Sequence, residues 1–508
     1  MRHPDALALR RLDFIPFPEE LVQVKREFIA WAREKGLDPG EVVFDFLTPG
    51  QITEVAAYDG FPGRYPHWRF GMAFDQHEKQ HAWGLSTIYE MVINNRPAYA
   101  YLLEGSTPMV QRMVMAHVLG HCDFFRNNAY FAGTNRNMLN EMANHSARVK
   151  RYANRHGFER VERFLDTCLS LENLTDPNLL FWRAKVEGTI EEERAAGRGE
   201  TGPRFTSAYL TSYYRTAKTP TKPIEAEKEK TEDEAQALKP FPEKPLRGVL
   251  DFLVEHAPLE DWERDILDIV RDEAYYFLPQ RLTKIMNEGW AVFWHTRIMT
   301  AKGLHPKDMV AYADEHSKIV APWPGRLNPY RLGYQLFEDI KDRWDRGRHG
   351  QDWESCQNLH ERENWDTREG RGMEKVFEVR SAHNDAQFVD NFLTPEFAVK
   401  SHFYTFRQRP REDAFVLESR KFGKIKEVLL AHLTNGGEPI LEISDANYKN
   451  RSELFIKHVH AGIDLKIAEA RQTLHALQAI WRRPVNLETL FQGQKRTFAF
   501  DGQLDTES

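Results

Sequence analysis

Hydrophobic residues recur at helical spacing through much of the chain. The spacing predicts a helix from Leu21 to Lys35, closed by Gly36, and a second helix from about Asn137 to Arg155. Helical patterns continue to about residue 195 and resume from Val249 to about Arg346. Helices therefore dominate the predicted structure of this part of the chain.

One short segment has the two-residue period of a β-strand instead of helical spacing. The string PAYAYLLEG predicts a β-strand from Pro97 to Gly105, with Tyr99 and Tyr101 on one face. A helix should begin directly afterwards, since Thr107 is a favourable N-cap residue and Pro108 suits the first helical position. The pattern is thus a strand followed closely by a helix.

The C-terminal part is built from shorter alternating segments. The strings VFEVRSA, AFVLES and PILEIS predict strands, and an amphipathic helix is predicted near Ile463 to Trp481. We therefore assign residues 371–495 to a C-terminal α+β domain and residues 1–365 to an N-terminal domain. A polar stretch at about 196–245 predicts an exposed linker or insertion, with a solvated helix as the alternative. The predicted fold class is α+β, predominantly helical.

Composition narrows the class of protein without indicating an activity. The 508 residues are 41% hydrophobic and 29% charged, as expected for a folded protein of two or three domains. A net charge of -7 argues against a nucleic-acid partner, which would require a broad basic surface. Three scattered cysteines favour a reducing compartment, and no apolar stretch reaches the roughly 18 residues of a transmembrane helix. We expect a cytoplasmic protein without a transmembrane segment.

The strongest chemical signal is a pair of histidines on the predicted helix after Pro108. His117 and His121 are four residues apart and fall within the apolar stripe of that helix, so both imidazoles should face inward together. Such spacing is what metal chelation from one helix requires. A pair of buried, hydrogen-bonded histidines is the structural alternative.

A second pair on the next predicted helix strengthens the metal interpretation. Glu141 and His145 are also four residues apart and flank a hydrophobic stripe. A carboxylate beside a core face is costly unless a cation or a partner neutralises it. The four side chains together predict a site for a divalent metal, zinc first, with iron or manganese as alternatives. A hydrogen-bonded network joining two helices would explain the same residues.

Another acidic and histidine pair occurs far along the chain, in KIMNEGWAVFWHTRIM. Glu288 and His295 lie on one helical stripe with apolar residues and should face the interior. They are candidate catalytic residues, as base and charge stabiliser, or candidate ligands of a second metal. An internal structural pair is the alternative.

The order of strand, HVLGH helix and NEMANH helix resembles the zincin peptidases. The resemblance implies a zincin-like N-terminal region, in which PAYAYLLEG is the substrate-binding edge strand and the two helices carry the metal ligands. One position departs from the zincin pattern, because Val118 stands where H-E-x-x-H places its glutamate. The usual general base is therefore missing.

Several long strings resemble the family of stage V sporulation protein R. They are GFPGRYPHWRFGM, GLSTIYEMVINNRPAYAYLLEG, AHVLGHCDFFRNN, TKIMNEGWAVFWH, NPYRLG and IWRRPVNLET. The resemblance implies an association with sporulation and the spore cortex, or with stress of the cell envelope. It also implies as partners a serine protein kinase, a von Willebrand-type protein and a peptide or peptidoglycan-related substrate.

Other residues are weaker candidates for a substrate cleft or for orienting a metal ligand. Arg64 and His67 could bind an anion or a sugar, although a packed aromatic turn is the simpler interpretation. Asp123, two residues after His121, could orient a ligand by a hydrogen bond. The remaining cleft candidates are Tyr89, Glu90, Asn94, Tyr99 and Tyr101.

Three functions follow from these residues. The leading hypothesis is a metal-dependent hydrolase of an amide substrate in a peptide or cell-wall precursor. A non-catalytic scaffold or regulator, stabilised by a metal or a polar network, is the second. An oxygen-using di-metal protein is the third, because histidines and glutamates occur on three predicted helices.

Overall fold

The structure is a computed structural model, and it describes residues 17–82, 90–181, 241–322, 326–408 and 415–507. Most of the predicted linker at 196–245 therefore lies outside the described residues, as does Tyr89. None of the described helices is both long and apolar enough to cross a membrane.

The described elements are mainly helical, and a small sheet forms near the C-terminus, so the predicted α+β class is confirmed. The α-helices are α1 Glu19–Glu34, α2 Pro49–Ala57, α3 Trp68–Ala82, α4 Pro108–Asn127, α5 Met138–His156, α6 Phe158–Leu169, α7 Val249–His256, α8 Asp261–Leu282, α9 Lys284–Ile298, α10 Met309–Ile319, α11 Pro329–Asp345, α12 Gly350–Ser355, α13 Leu359–Glu363, α14 Gly372–Ala382, α15 Asp385–Phe392, α16 Pro395–Lys400, α17 Phe422–Leu433 and α18 Ile467–Trp481. The strands are β1 Val42–Leu47, β2 Glu90–Ile93, β3 Ala98–Leu103, β4 Thr405–Gln408, β5 Phe415–Ser419, β6 Leu441–Tyr448, β7 Glu453–His458, β8 Val485–Phe491, β9 Gln494–Phe500 and β10 Asp505–Glu507.

The chain divides into two compact units that each combine distant segments. Unit 1 comprises residues 1–150 and 279–433, and unit 2 comprises residues 151–278 and 434–508. The boundary between domains that we place at residues 365–371 stays a prediction.

The sheet of unit 1 corrects one part of the zincin comparison. Its order is β1-β3-β2, with β3 parallel to β1 and antiparallel to β2. The strand predicted at Pro97–Gly105 is present as β3, but it is the central strand. Both of its hydrogen-bonding edges are used by neighbours, so it cannot be the edge strand that pairs with a substrate.

Helix α4 begins as its sequence predicts. The Thr107 side chain accepts a hydrogen bond from the Val110 N–H, and Pro108 occupies the first turn. Almost every residue from Met109 to Phe125 is buried, so α4 runs through the interior rather than along the surface. The inward direction expected for His117 and His121 is confirmed.

Helix α9 is the central helix of unit 1. Each residue from Ile285 to His295 is buried. A Cβ added to Gly120 of α4 would lie 2.7 Å from Ala291 Cα, and one added to Gly333 of α11 would lie 2.1 Å from the Ile285 carbonyl oxygen. Because Gly120 and Gly333 have no side chain, the backbones of α4 and α11 can contact α9 directly. Polar side chains of α9 then lie next to α4.

The first turn of α9 receives its cap from another helix. Asp385 accepts hydrogen bonds from the backbone N–H groups of Ile285 at 2.8 Å and Met286 at 2.9 Å. Burial outweighs these bonds and raises the pKa of Asp385 to about 7. This contact determines the residue at which α9 begins. It therefore also determines the position of Glu288 relative to the histidines of α4.

One predicted strand is wrong. VFEVRSA lies within helix α14, where Val376 and Val379 are buried at helical spacing. A short run with apolar residues at both two- and three-residue intervals fits either pattern, and packing decides between them. The strands predicted in AFVLES and PILEIS are present as β5 and β6, and the predicted helix near Ile463–Trp481 is α18.

Unit 2 contains a five-stranded sheet of order β10-β9-β8-β7-β6. Strands β7 and β8 are parallel and are joined through α18, while the other neighbours are antiparallel. Buried side chains of α18, including Leu474 and Leu477, provide its apolar face.

Candidate metal centre

The two histidines of α4 form the base of a buried polar cluster. His117 and His121 are 5% and 7% exposed, and their ring centroids lie 4.6 Å apart. One helical turn separates the two residues, so both rings reach the same side of α4. This local arrangement follows directly from the spacing in the sequence.

The third member of the cluster comes from α9. Glu288 Oε2 lies 3.5 Å from His117 Nε2 and 3.4 Å from His121 Nε2. Among the residues that the structure describes, these three side chains form a group whose potential ligand atoms all lie within 4.8 Å of one another. Glu288, predicted as a catalytic residue, is therefore placed where a third metal ligand would be.

The two distances are close to those expected between two ligand atoms of one small cation. Two atoms bonded to zinc at about 2.0–2.1 Å, at the tetrahedral angle, are about 3.3–3.4 Å apart. Bonds of the same length at right angles would bring them to about 2.9 Å. Glu288 Oε2 is buried and has no hydrogen-bond partner among the described residues. A divalent ion between the three atoms fits this unused acceptor.

Glu288 is ionised despite its burial. Burial raises the pKa of Glu288, but the charge of Lys284 and the contacts with His117 and His121 together hold it well below its usual value. Lys284 is exposed and forms an ion pair with the other oxygen, Oε1. The cluster therefore presents an anionic oxygen to two imidazole nitrogens.

The remaining nitrogen of each imidazole also has a partner. His121 Nδ1 lies 2.9 Å from Asn287 Oδ1, and His117 Nδ1 lies 2.9 Å from His295 Nδ1. His295 Nε2 continues to His316 Nδ1 at 3.2 Å. Burial, reinforced by the neighbouring His117 and His316, lowers the pKa of His295 well below its usual value, so its ring is neutral.

The other two predicted ligands lie on α5. His145 is buried and Glu141 is half-buried. Neither belongs to the group formed by His117, His121 and Glu288. Metal binding by Glu141 and His145 stays a prediction that the geometry of this group does not include.

Asp123 has a different set of partners from the one we expected. Its Oδ1 accepts from the Asp38 N–H at 2.7 Å, and its Oδ2 accepts from Trp290 Nε1 at 2.9 Å. Oδ2 also lies 3.2 Å from Arg380 Nη1. The carboxylate thus joins α4 to α9 and α14, whereas Asn287 and His295 contact the histidines directly.

The cleft candidates are distributed over several elements. Arg64 is buried, forms an ion pair with Asp59 at 2.6 Å and lies 4.7 Å from the Phe70 ring, while His67 is buried nearby. Asn94 donates to Thr134 at 3.0 Å. Tyr99 and Tyr101 lie on central strand β3, and Glu90 begins β2. Binding of a substrate by these residues stays a prediction.

Two residues that form hydrogen bonds around the cluster are not predicted from the sequence. Asn287 directly precedes Glu288, and its side chain also faces α4, which the helical stripe alone did not indicate. His316 lies on α10 and carried no spacing signal. Both are recognised only when α4, α9 and α10 are assembled.

These features define a mainly helical α+β protein with a two-histidine, one-carboxylate cluster inside unit 1. The chain belongs to the SpoVR family: the family described as SpoVR like protein matches residues 17–438, and the SpoVR-like C-terminal domain matches residues 439–492. The family resemblance noted in the sequence is confirmed.

A relative in Escherichia coli (strain K12) extends the match along both chains. It bears the name Uncharacterized protein YcgB and is 28% identical over 472 residues, which cover 87% of this chain and 86% of the relative. No solved structure matches the chain. The comparisons therefore establish the family and do not indicate a reaction.

Proposed function

We propose that this protein is a mononuclear metal-dependent hydrolase. A divalent ion, zinc first, would be held by His117 Nε2, His121 Nε2 and Glu288 Oε2. The observation that supports this most directly is the buried, unused carboxylate oxygen at 3.4 and 3.5 Å from the two imidazole nitrogens. Three protein ligands leave one coordination position open for water or substrate, as in catalytic zinc sites.

Each part of the cluster has a chemical role in this proposal. Zinc, when bound, lowers the pKa of a coordinated water to near neutrality. In the absence of metal, the charge of Lys284 helps to keep Glu288 ionised. The interior of unit 1 surrounds the cluster with apolar side chains and so strengthens its electrostatics. With Val118 in place of the zincin glutamate, a base must come from another residue or from the substrate.

The proposal keeps only part of the zincin comparison. The H-x-x-x-H pair is retained, but the third ligand comes from α9 instead of the helix that follows the histidines. Strand β3 is paired on both sides, so a peptide would have to approach by another route. An amide in a peptide or peptidoglycan precursor is the proposed substrate class, taken from the family's association with the spore cortex. The kinase and von Willebrand-type partners stay predictions from the same resemblance, and the cytoplasmic location stays a prediction from the composition of the chain.

A second candidate is an oxygen-using iron protein. Two histidines and one carboxylate are also the donor set of mononuclear non-haem iron(II) oxygenases. The cluster favours one metal over the di-metal arrangement, because the described residues form a single group of ligands. Iron that is retained under anaerobic purification and oxidised by air would favour this candidate.

A scaffold is the third candidate, supported by the ion pair of Glu288 with Lys284. This pair gives the cluster a cation of its own and lets the histidines and Glu288 form a polar network that joins α4 to α9. In that case the protein would remain folded and functional without metal.

Elemental mass spectrometry of the purified full-length protein tests the metal proposal. We expect about one metal per chain, lost in His117→Ala/His121→Ala and in Glu288→Gln. His145→Ala is the matched control and should retain the metal. Retention by Glu288→Gln with loss by His145→Ala would overturn the ligand set in favour of the α5 residues. Metal-loaded protein that hydrolyses no amide substrate would favour the scaffold.

A further inference from the structure

The hydrogen bonds around the cluster determine which nitrogen of each histidine can bind a metal. A neutral imidazole has one N–H and one lone pair, and only the lone pair can be a ligand. Asn287 Oδ1, 2.9 Å from His121 Nδ1, is an amide oxygen and can only accept. His121 Nδ1 must therefore carry the proton, which leaves the lone pair of Nε2 facing Glu288.

His295 selects the corresponding tautomer of His117 when its own proton is donated to a third histidine, His316. Its ring has contacts on both sides, with His117 Nδ1 at 2.9 Å and with His316 Nδ1 at 3.2 Å. A neutral ring has a single proton for two contacts. When that proton points to His316, His295 Nδ1 accepts from His117, and the lone pair of His117 Nε2 faces Glu288 as well.

We infer that Asn287 and His295 are positioning residues that fix both histidines of α4 in the tautomer that binds metal through Nε2. The inference rests on the proposed metal site and extends it to residues that do not touch the ion. Hydrogen-bond partners of this kind orient the ring and increase the basicity of the ligand nitrogen.

Helix α9 carries both the proposed ligand Glu288 and the two positioning residues. Asn287 adjoins Glu288, and His295 lies two helical turns further along, so ligand and positioning residues share one rigid element. The close approach at Gly120 and Ala291 brings this element against α4. Side chains on a packed helix keep the geometry of a site more precisely than side chains on a loop.

Matched substitutions distinguish a residue that orients a histidine by a hydrogen bond from one that only fills the space beside it. Asn287→Asp keeps an acceptor for His121 Nδ1–H, whereas Asn287→Leu removes it at similar size. His295→Asn places an amide oxygen near the former Nδ1, whereas His295→Leu does not. Cobalt(II) titration of the full-length protein, followed by its visible absorption, measures affinity and coordination geometry together.

We expect the two leucine variants to bind cobalt about 10- to 100-fold more weakly, with an altered visible spectrum. The aspartate and asparagine variants should stay within about threefold of the wild-type affinity, by the same reasoning. Equal affinity of both leucine variants and the wild type would overturn the inference while leaving the metal site intact. Failure of the wild type to bind cobalt or zinc would instead overturn the proposed function.

A measurement on the unmodified protein covers the case in which a leucine variant does not fold. Nitrogen-15 NMR of histidine-labelled, metal-free protein distinguishes protonated Nδ1 from protonated Nε2, and the signals of His117 and His121 are identified by their loss in the alanine variants. We expect Nδ1 to be protonated in both residues. Protonation at Nε2 in either of them would contradict the inference.

Discussion

Each unit of the protein buries a cluster of charged side chains, and the two clusters are neutralised differently. In unit 2, Arg271 is 2% exposed and lies 2.5 Å from Asp268, 3.2 Å from Asp272 and 3.9 Å from Asp251. In unit 1, Glu288 faces two histidines, and its ion pair with Lys284 uses only one of its oxygens.

The difference lies in where the positive charge comes from. Arg271 carries a permanent charge and is surrounded by carboxylates, and Tyr275 donates a further hydrogen bond to Asp251. In that cluster the buried carboxylate faces a cation supplied by the chain itself, at 3.9 Å. Glu288 Oε2, by contrast, faces two imidazole nitrogens rather than a permanent cation, and it has no hydrogen-bond donor among the described residues. Leaving a buried acceptor unused costs free energy, and the two imidazole nitrogens beside Glu288 Oε2 are the reason why we propose a metal at this position.

Removal of Arg271 should have the largest effect. Arg271→Met leaves Asp251 buried without its cation, and we expect unfolding to become easier by about 3–5 kcal/mol. Chemical denaturation measures this loss. Arg271→Lys, which keeps the charge, should lose less, and an unchanged unfolding midpoint in the methionine variant would show that the cluster does not contribute to stability.

Added zinc should stabilise the protein through the cluster in unit 1. At a free zinc concentration of 100 times Kd, binding raises the free energy of unfolding by about 2.7 kcal/mol. The Tm of the wild type should therefore rise with zinc, and that of Glu288→Gln should not. Without zinc the variant should be somewhat less stable than the wild type, because the lowered pKa of Glu288 means that its charge is favoured in the folded protein. Equal zinc-dependent shifts would mean that Glu288 is not a ligand.

The close approach of α9 and α11 should tolerate little added volume. In Gly333→Ala the new Cβ would lie 2.1 Å from the Ile285 carbonyl oxygen, so the helices must separate at a cost of about 1–3 kcal/mol. Zinc affinity should also fall, because α9 carries Glu288. Gly63→Ala is the control, since a Cβ there would meet no atom within 4 Å. Similar unfolding curves for the two variants would contradict the proposed packing.

The smallest effect is expected at Lys284. This side chain is exposed, so Lys284→Met should change the free energy of unfolding by less than about 1 kcal/mol. Zinc affinity should increase by roughly 3- to 10-fold, because a positive charge near the dication is removed. Lys284→Arg should bind zinc like the wild type. Weaker zinc binding by the methionine variant would mean that Lys284 orients Glu288 more than it opposes the metal.

Local rules predicted the elements with strong end signals. Thr107 and Pro108 start α4 as expected, and the predicted helix at about 137–155 is α5. The inward directions of His117, His121, Glu288 and His295 also follow from their periodicity. Periodicity fails in short runs, as in VFEVRSA, where helical and strand patterns coincide.

Periodicity does not predict which of these side chains contact one another. Short separation along the chain favours contact and so predicts that His117 and His121 are grouped with Glu141 and His145. The structure instead brings Glu288 to the two histidines and adds Asn287, His295 and His316. Likewise, alternation identified β3 as a strand, but only its pairing on both sides showed that it is central.

By itself the sequence determined the family, the mainly helical character and the pair of histidines on one face of α4. A four-residue spacing acts within a single helical turn, so it needs no other part of the chain. Tertiary structure alone decided the third candidate ligand and the hydrogen bonds that select the nitrogen atoms. Those contacts join residues more than 150 positions apart, and they depend on the backbone approach at Gly120 and Ala291, which is a property of packed helices rather than of any local pattern.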